Sequence, residues 1–222
     1  MNSLKSATAA ASLVAAMVAP AVADPIVLDF EGVGNQASVN DFYNGGTDSA
    51  GNAGTNYGVH FNSNALGVTD SDAGGTGNIG NEPSPSSVLF FLTGSAILDY
   101  APGFDTGFSF WYTTVSFGGT VNVYDGLGGT GNLLGSIAIN ALGAGPGDPN
   151  GAFSNWAIGS LGFAGIAKSI DFGGTVNQVA YDNITFGATT PIVTNVPEPS
   201  TYAMLALGLA GVGVVSRRRR TL

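Results

Sequence analysis

The chain has 222 residues, no cysteine and a formal net charge of −9. Without cysteine there are no disulfides, no thiol catalysis and no cysteine–metal sites. Fourteen of the fifteen acids lie between Asp24 and Asp182 and meet only Lys168 there, so this region repels phosphate backbones and nucleic acid is excluded as a partner.

At the N-terminus, Met1 to Lys5 carries one positive charge, Ala7 to Ala19 is apolar, and Ala21-Val22-Ala23 supplies small residues before a cleavage point. That order predicts a secretory signal peptide over residues 1–23, carried by the secretion machinery and removed by signal peptidase before Asp24. Residues 24–190 then form the passenger, long enough for one domain that buries about two-thirds of its unfolded surface.

The passenger has no sustained 3.6-residue period. Short runs rich in β-branched and aromatic residues recur between Gly, Asn, Asp and Ser clusters. They predict strands over Ile26–Phe30, Gly58–Asn62, Ala65–Thr69, Ser87–Leu92, Ala96–Tyr100, Gly107–Thr113, Thr120–Tyr124, Leu133–Ile139, Asn155–Ile158, Ala167–Phe172 and Gln178–Phe186. The fold class is therefore all-β, an antiparallel β-sandwich of jelly-roll-like type, with helices confined to the two ends of the chain.

Along the passenger several motifs offer chemistry. His60 is the single histidine and no G-x-S-x-G motif accompanies it, so it reads as a surface or hydrogen-bonded strand residue. Asp70-Ser71-Asp72-Ala73-Gly74 begins like a calcium loop, but Gly74 stands where a third ligand belongs and no glutamate follows at position twelve. A weaker site with Asn78 or Glu82 remains open beside the plain polar loop. Gly126-Leu127-Gly128-Gly129-Thr130-Gly131 fits G-x-G-x-x-G, yet a strand and not a helix follows it, so it reads as a hairpin loop. Trp111, Tyr112, Tyr124, Trp156 and Tyr181 are candidate rings for stacking on a sugar. No residue is assigned to ligand binding, and no catalytic residue is identified.

The two ends of the passenger carry a resemblance. Leu28-Asp29-Phe30-Glu31-Gly32 opens it and Tyr181-Asp182-Asn183-Ile184-Thr185-Phe186 closes it. Together they are similar to calcium-containing carbohydrate-binding jelly rolls, and this implies Glu31 and Asp182 as ligands of a structural calcium ion. Two unrelated turn acids are the other reading of the same residues.

The C-terminal segment 191–222 reads as a linker followed by a sorting signal. Val196-Pro197-Glu198-Pro199-Ser200-Thr201 precedes the uncharged run Tyr202 to Val215, which predicts a transmembrane helix, and Arg217, Arg218, Arg219 and Arg220 follow as a membrane stop held on the cytoplasmic side. Proline, short apolar helix and arginine cluster in this order resemble the PEP-CTERM sorting signal of exported bacterial proteins. The resemblance implies exosortase as a partner, with Pro197, Glu198 and Pro199 as its recognition residues and the membrane as a transient anchor. It further implies an inner-membrane-tethered intermediate and a final place at the cell surface or in an exopolysaccharide matrix. The expected function is non-catalytic binding of polysaccharide. A structural matrix protein without a specific ligand, and a glycan-active enzyme, stand as alternatives.

Overall fold

The computed structural model describes residues 25–146 and 151–193, and among these there is no helix. The strands are β1 (Val27–Leu28), β2 (Val59–Phe61), β3 (Leu66–Thr69), β4 (Ser87–Phe90), β5 (Ala96–Phe104), β6 (Phe108–Thr114), β7 (Gly119–Tyr124), β8 (Leu133–Ile139), β9 (Ala157–Leu161), β10 (Ala167–Phe172) and β11 (Val179–Phe186). The expected signal peptide, sorting tripeptide, transmembrane helix and arginine cluster lie outside the described residues.

One sheet has the order β3-β4-β11-β6-β9 with β1 added on β11, and the other has the order β2-β5-β10-β7-β8. Every strand pairing is antiparallel. From β4 onward the chain distributes its strands as β4-β11-β6-β9 and β5-β10-β7-β8, the interleaving of a jelly roll.

Strict alternation builds the core. In β6, Phe108, Phe110 and Tyr112 point inward, where they meet Phe172 of β10 and Tyr181 of β11. Phe110–Phe172, Phe110–Tyr181 and Phe172–Tyr181 meet edge to face at 5.6, 5.5 and 5.0 Å. Such contacts add about 0.5–1.5 kcal/mol each beyond area burial.

Several strand boundaries differ from expectation, and two of them have a direct physical reason. β5 runs past Pro102 to Phe104 because its register with β10 shifts between Ala167 and Ser169, and proline is tolerated at such an irregularity. β9 runs through Gly159, which reads as a stop in sequence. A Cβ there would lie 2.3 Å from the Phe110 ring, so the glycine is the residue that lets the ring pack on the strand.

The outer face of the first sheet is covered. Loops 70–86 and 151–156 cross it, joined by an Ile79–Phe153 bridge and by the Trp156 indole N–H to the Gly80 carbonyl at 2.9 Å. Beneath them Val68, Ile79, Val88 and Ala180 form a second, smaller apolar cluster with Phe90 and Trp156. These loops shape the sites described below.

Candidate functional site

β1 and β4 lie end to end along the same edge of β11. β4 pairs at Tyr181, β1 pairs at Ile184 and Thr185, and neither covers Asp182. On the opposite edge the register with β6 breaks between Asp182 and Thr185, where Asn183 takes a φ of 46°. After β1, Phe30 takes a φ of 60°, rare for a bulky residue, with its amide held by the Tyr43 hydroxyl at 2.7 Å. That left-handed step buries the ring and turns Glu31 toward the gap beside Asp182.

The turn before β4 fills the gap. Pro83 and Pro85 flank Ser84; having no N–H, they leave the amides of Ser84, Ser86 and Ser87 as the donors. Ser86 and Ser87 N–H donate to Glu31 Oε1 at 2.9 and 2.7 Å, and Ser86 Oγ donates to Oε2 at 3.0 Å. Ser84 N–H donates to Asp182 Oδ2 at 2.8 Å, and Asn183 N–H donates to Oδ1 at 2.6 Å. Ser84 Oγ has four oxygens around it: Asp182 Oδ1 at 3.0 Å, Asp29 O at 3.1 Å, Ser87 O at 3.2 Å and Glu31 Oε1 at 3.4 Å. A hydroxyl carries one proton and cannot donate to all four. The structure thus brings Glu31, in the turn after β1, and Asp182, on β11, to one hydroxyl.

Asp182 is fully buried. Burial pushes its carboxyl well above the usual range, the Ser84 and Asn183 bonds pull it back, and the Asp29 charge adds to the rise. Lys168, on β10 of the other sheet, is the single lysine or arginine among the described residues. Two carboxylates, two main-chain carbonyls and a hydroxyl gathered without a cationic side chain form an oxygen-only donor set of the kind that suits calcium. Glu31 and Asp29 also line a cavity of about 450 Å³ with Phe42, Tyr43 and Tyr57, which gives the cluster an opening to solvent.

A different pocket, of about 190 Å³, lies over the outer face of the first sheet. Phe90, Leu92 and Phe153 supply apolar surface, and the exposed amides of Gln36, Asn78 and Asn177 surround it. No lining residue is charged.

The remaining sequence candidates resolve as follows. His60 Nδ1 meets Asp41 Oδ1 at 2.9 Å with both side chains about half exposed, a surface pair between β2 and the turn at Asp41. The glycine run 126–131 is the β7–β8 hairpin, and its amides are already used: Gly128 N–H donates to Asp99 Oδ1 at 2.6 Å and Gly129 N–H to Ser169 Oγ at 3.0 Å. Tyr112 and Tyr181 are core residues, Trp111, Tyr124 and Trp156 are partly buried, and none of the five lines the uncharged pocket. The sequence reading missed Ser84 and the pocket rings. Phe90-Phe91 held a usable signal: consecutive strand residues face opposite sides, so one ring had to lie outside the core.

Residues 195–220 match the PEP-CTERM protein-sorting motif. The PEP-CTERM signal marks an exported chain with a membrane-anchored intermediate and implies exosortase processing. No curated protein matches the sequence. Among solved structures the chain is similar to a family 6 carbohydrate-binding module studied for its binding sub-sites, at 16% identity and a TM-score of 0.35 over 56% of this chain and 82% of that one. A carbohydrate-binding module from Cellvibrio mixtus lichenase 5A, in complex with cellotriose, gives 16% identity and 0.33 over 58% and 89%. The K2 cleaved adhesin domain of Lys-gingipain gives 12% and 0.41 over 75% and 99%. The strand pairing, and not these overlaps, defines the fold of this chain.

Proposed function

We propose that the sandwich is a non-catalytic carbohydrate-binding domain, delivered by the PEP-CTERM signal to the cell surface or its exopolysaccharide matrix. The observation that carries this reading is the uncharged pocket beside Phe90. Apolar surface ringed by amide donors and acceptors suits the CH face and hydroxyls of a neutral sugar, and a small concave site of this kind fixes orientation with few polar groups. Glu31 accepts from the Ser86 and Ser87 amides and the Ser86 hydroxyl, and Asp182 is buried, so the acids at the seam hold structure together instead of attacking a glycosidic bond. We assign to Glu31 and Asp182 a structural calcium ion that ties β1, β11 and the 83–87 turn together. Tethering by the tail is transient, and exosortase acts at Pro197-Glu198-Pro199.

The binding test is a glycan array with the full chain in detergent micelles, followed by Leu92→Asp. Leu92 is 49% exposed, so the substitution leaves the core intact while placing a charge in the pocket. Binding should weaken by about tenfold or more with an unchanged melt. An array without any hit would reduce the domain to a structural matrix component. For processing, alanine at Pro197, Glu198 and Pro199 should leave an uncleaved tail by mass spectrometry in a host with exosortase. Normal cleavage of that variant would remove the tripeptide from its recognition role.

A further inference from the structure

The loop between β3 and β4 holds a second pair of acids that the binding reading does not use. Its ends are clamped, with Asp70 N–H donating to the Ser86 carbonyl at 2.8 Å. Its first turn is closed by Gly75 N–H to Asp70 O at 2.7 Å and by Gly77 N–H to Thr69 O at 2.8 Å. A Cβ at Gly75 would stand 2.1 Å from the Thr69 carbonyl, so the turn cannot relax outward without losing that glycine's close approach. The main chain of Asp70 is therefore fixed, and its side chain is only 2% exposed.

Asp70 Oδ1 has no hydrogen-bond donor, and neither has the equally buried Glu82 Oε1. Among the acids facing Glu82, Asp70 exerts the largest charge effect, followed by Asp72 and Glu31. Buried carboxylate oxygens without a donor are rare in folded proteins, and such an orphan calls for a proton, a water or an ion. Two of them sharing one loop, with no lysine or arginine there, leave the local negative charge without any protein counterion.

We propose that Asp70 Oδ1 and Glu82 Oε1 bind a divalent cation of the calcium type, distinct from the ion assigned to Glu31 and Asp182. Oxygen-only donors favour a hard cation over zinc or copper, and calcium accepts the irregular coordination that a loop provides. No group of three or more acidic, histidine or cysteine side chains is arranged for a metal among the described residues, so loop carbonyls and water complete the shell. The ion would pin loop 70–86, which forms one wall of the uncharged pocket through Thr76, Gly77, Asn78 and Ile79. The inference does not depend on sugar binding or on the seam ion.

Asp70→Asn/Glu82→Gln, made in the full chain, tests it. After equilibration with calcium and removal of free metal, the metal content by plasma mass spectrometry should be one ion per chain lower than in the wild type. Terbium luminescence sensitised by the tryptophans separates the sites. The component lost in Asp70→Asn/Glu82→Gln should persist in Asp182→Ala. Because the double variant alters a buried loop, Glu82→Gln alone, at a half-buried position, is the guard against misfolding. It should raise the calcium Kd of that component by about tenfold. Equal metal content in the wild type and the double variant overturns the proposal. A double variant that melts higher and still binds as much calcium would assign the pair to a shared proton, which overturns it equally.

Discussion

The two acidic pairs of this domain use the same residue types and receive opposite treatment. At the seam, Glu31 and Asp182 are surrounded by donors: three serine amides, two serine hydroxyls and the Asn183 amide. In the loop, Asp70 Oδ1 and Glu82 Oε1 receive none. One segment serves both pairs, since residues 84–87 supply the seam donors while Glu82 stands at their N-terminal side. The difference teaches that carboxylate count says little about a site. What matters is which amides the turn leaves available. Pro83 and Pro85 set the turn so that the serine amides face the seam, and nothing equivalent faces the loop pair.

Removing the seam carboxylate should give the largest effect. Asp182→Ala strands the Ser84 and Asn183 amides in a buried place and unties β4 from β11. Losing a buried, charge-assisted set of this kind costs about 3 kcal/mol or more. In a domain of this size that lowers the melting temperature by roughly 10 °C. If calcium occupies the seam, chelator should lower the wild-type melt and do much less to the variant. An ion present at a hundredfold over its Kd contributes about 2.7 kcal/mol. A variant as stable as the wild type would erase the contrast between the pairs.

How much of that contrast was legible follows from the distances in sequence. All eleven strands were visible because two-residue alternation and Gly/Asn/Asp turns are local signals. Glu31 and Asp182 could be singled out together because one closely follows the first strand and the other lies on the last, which a jelly roll makes neighbours. Ser84 was not. It lies 53 residues from Glu31 and 98 from Asp182, and half of its contribution is a main-chain amide that no side-chain pattern reports. The uncharged pocket was missed for a similar reason, since Gln36, Asn78 and Asn177 come from three separate loops. Alternation could not sort the aromatic candidates, because it hides rings in a core as readily as it displays them. Tyr112 and Tyr181 are inside, while Phe90, adjacent to the buried Phe91, lines the pocket together with Phe153.

Ser84→Ala sharpens the comparison at an intermediate scale. The amide donor to Asp182 survives, and only the hydroxyl among the four oxygens is lost. Without an ion the loss should cost about 1–2 kcal/mol, as for a buried hydrogen bond. With calcium bound, neighbouring oxygens take over part of the ligation and the cost should shrink. A thermal melt of the variant at saturating calcium and in chelator gives both numbers. A cost independent of calcium would mean that the hydroxyl, and not an ion, organises the seam.

The smallest effect, and the one that isolates the loop pair, is pH dependence. Burial first, then the charges of Asp70, Asp72 and Glu31, raise the Glu82 carboxyl from 4.5 to about 7. The folded state then holds this proton more tightly than the unfolded chain. Its contribution is complete below about 4.5 and is lost as pH rises through 7. In chelator the wild-type melting temperature should fall across that window and level off above it, and Glu82→Gln should remove the part centred near 7. Because Glu82 is only half-buried, solvent screening keeps the slope shallow. Asp182 is also raised and tilts the curve the same way, but it remains in the Glu82→Gln background, so the difference between the two curves belongs to Glu82. Asp41 and Asp48 are lowered, the first by the Asn44 and His60 side chains, the second because bonds from Gly34, Asn52 and Ala50 outweigh its burial. Their losses come as pH falls below about 4, outside the window. Calcium competes with the protons on Glu82 and on the seam acids, so adding it should flatten the wild-type curve above pH 5, and the part of that flattening absent from Glu82→Gln belongs to the loop pair. Identical wild-type and Glu82→Gln curves would place that carboxylate in solvent and remove the distinction between the two pairs.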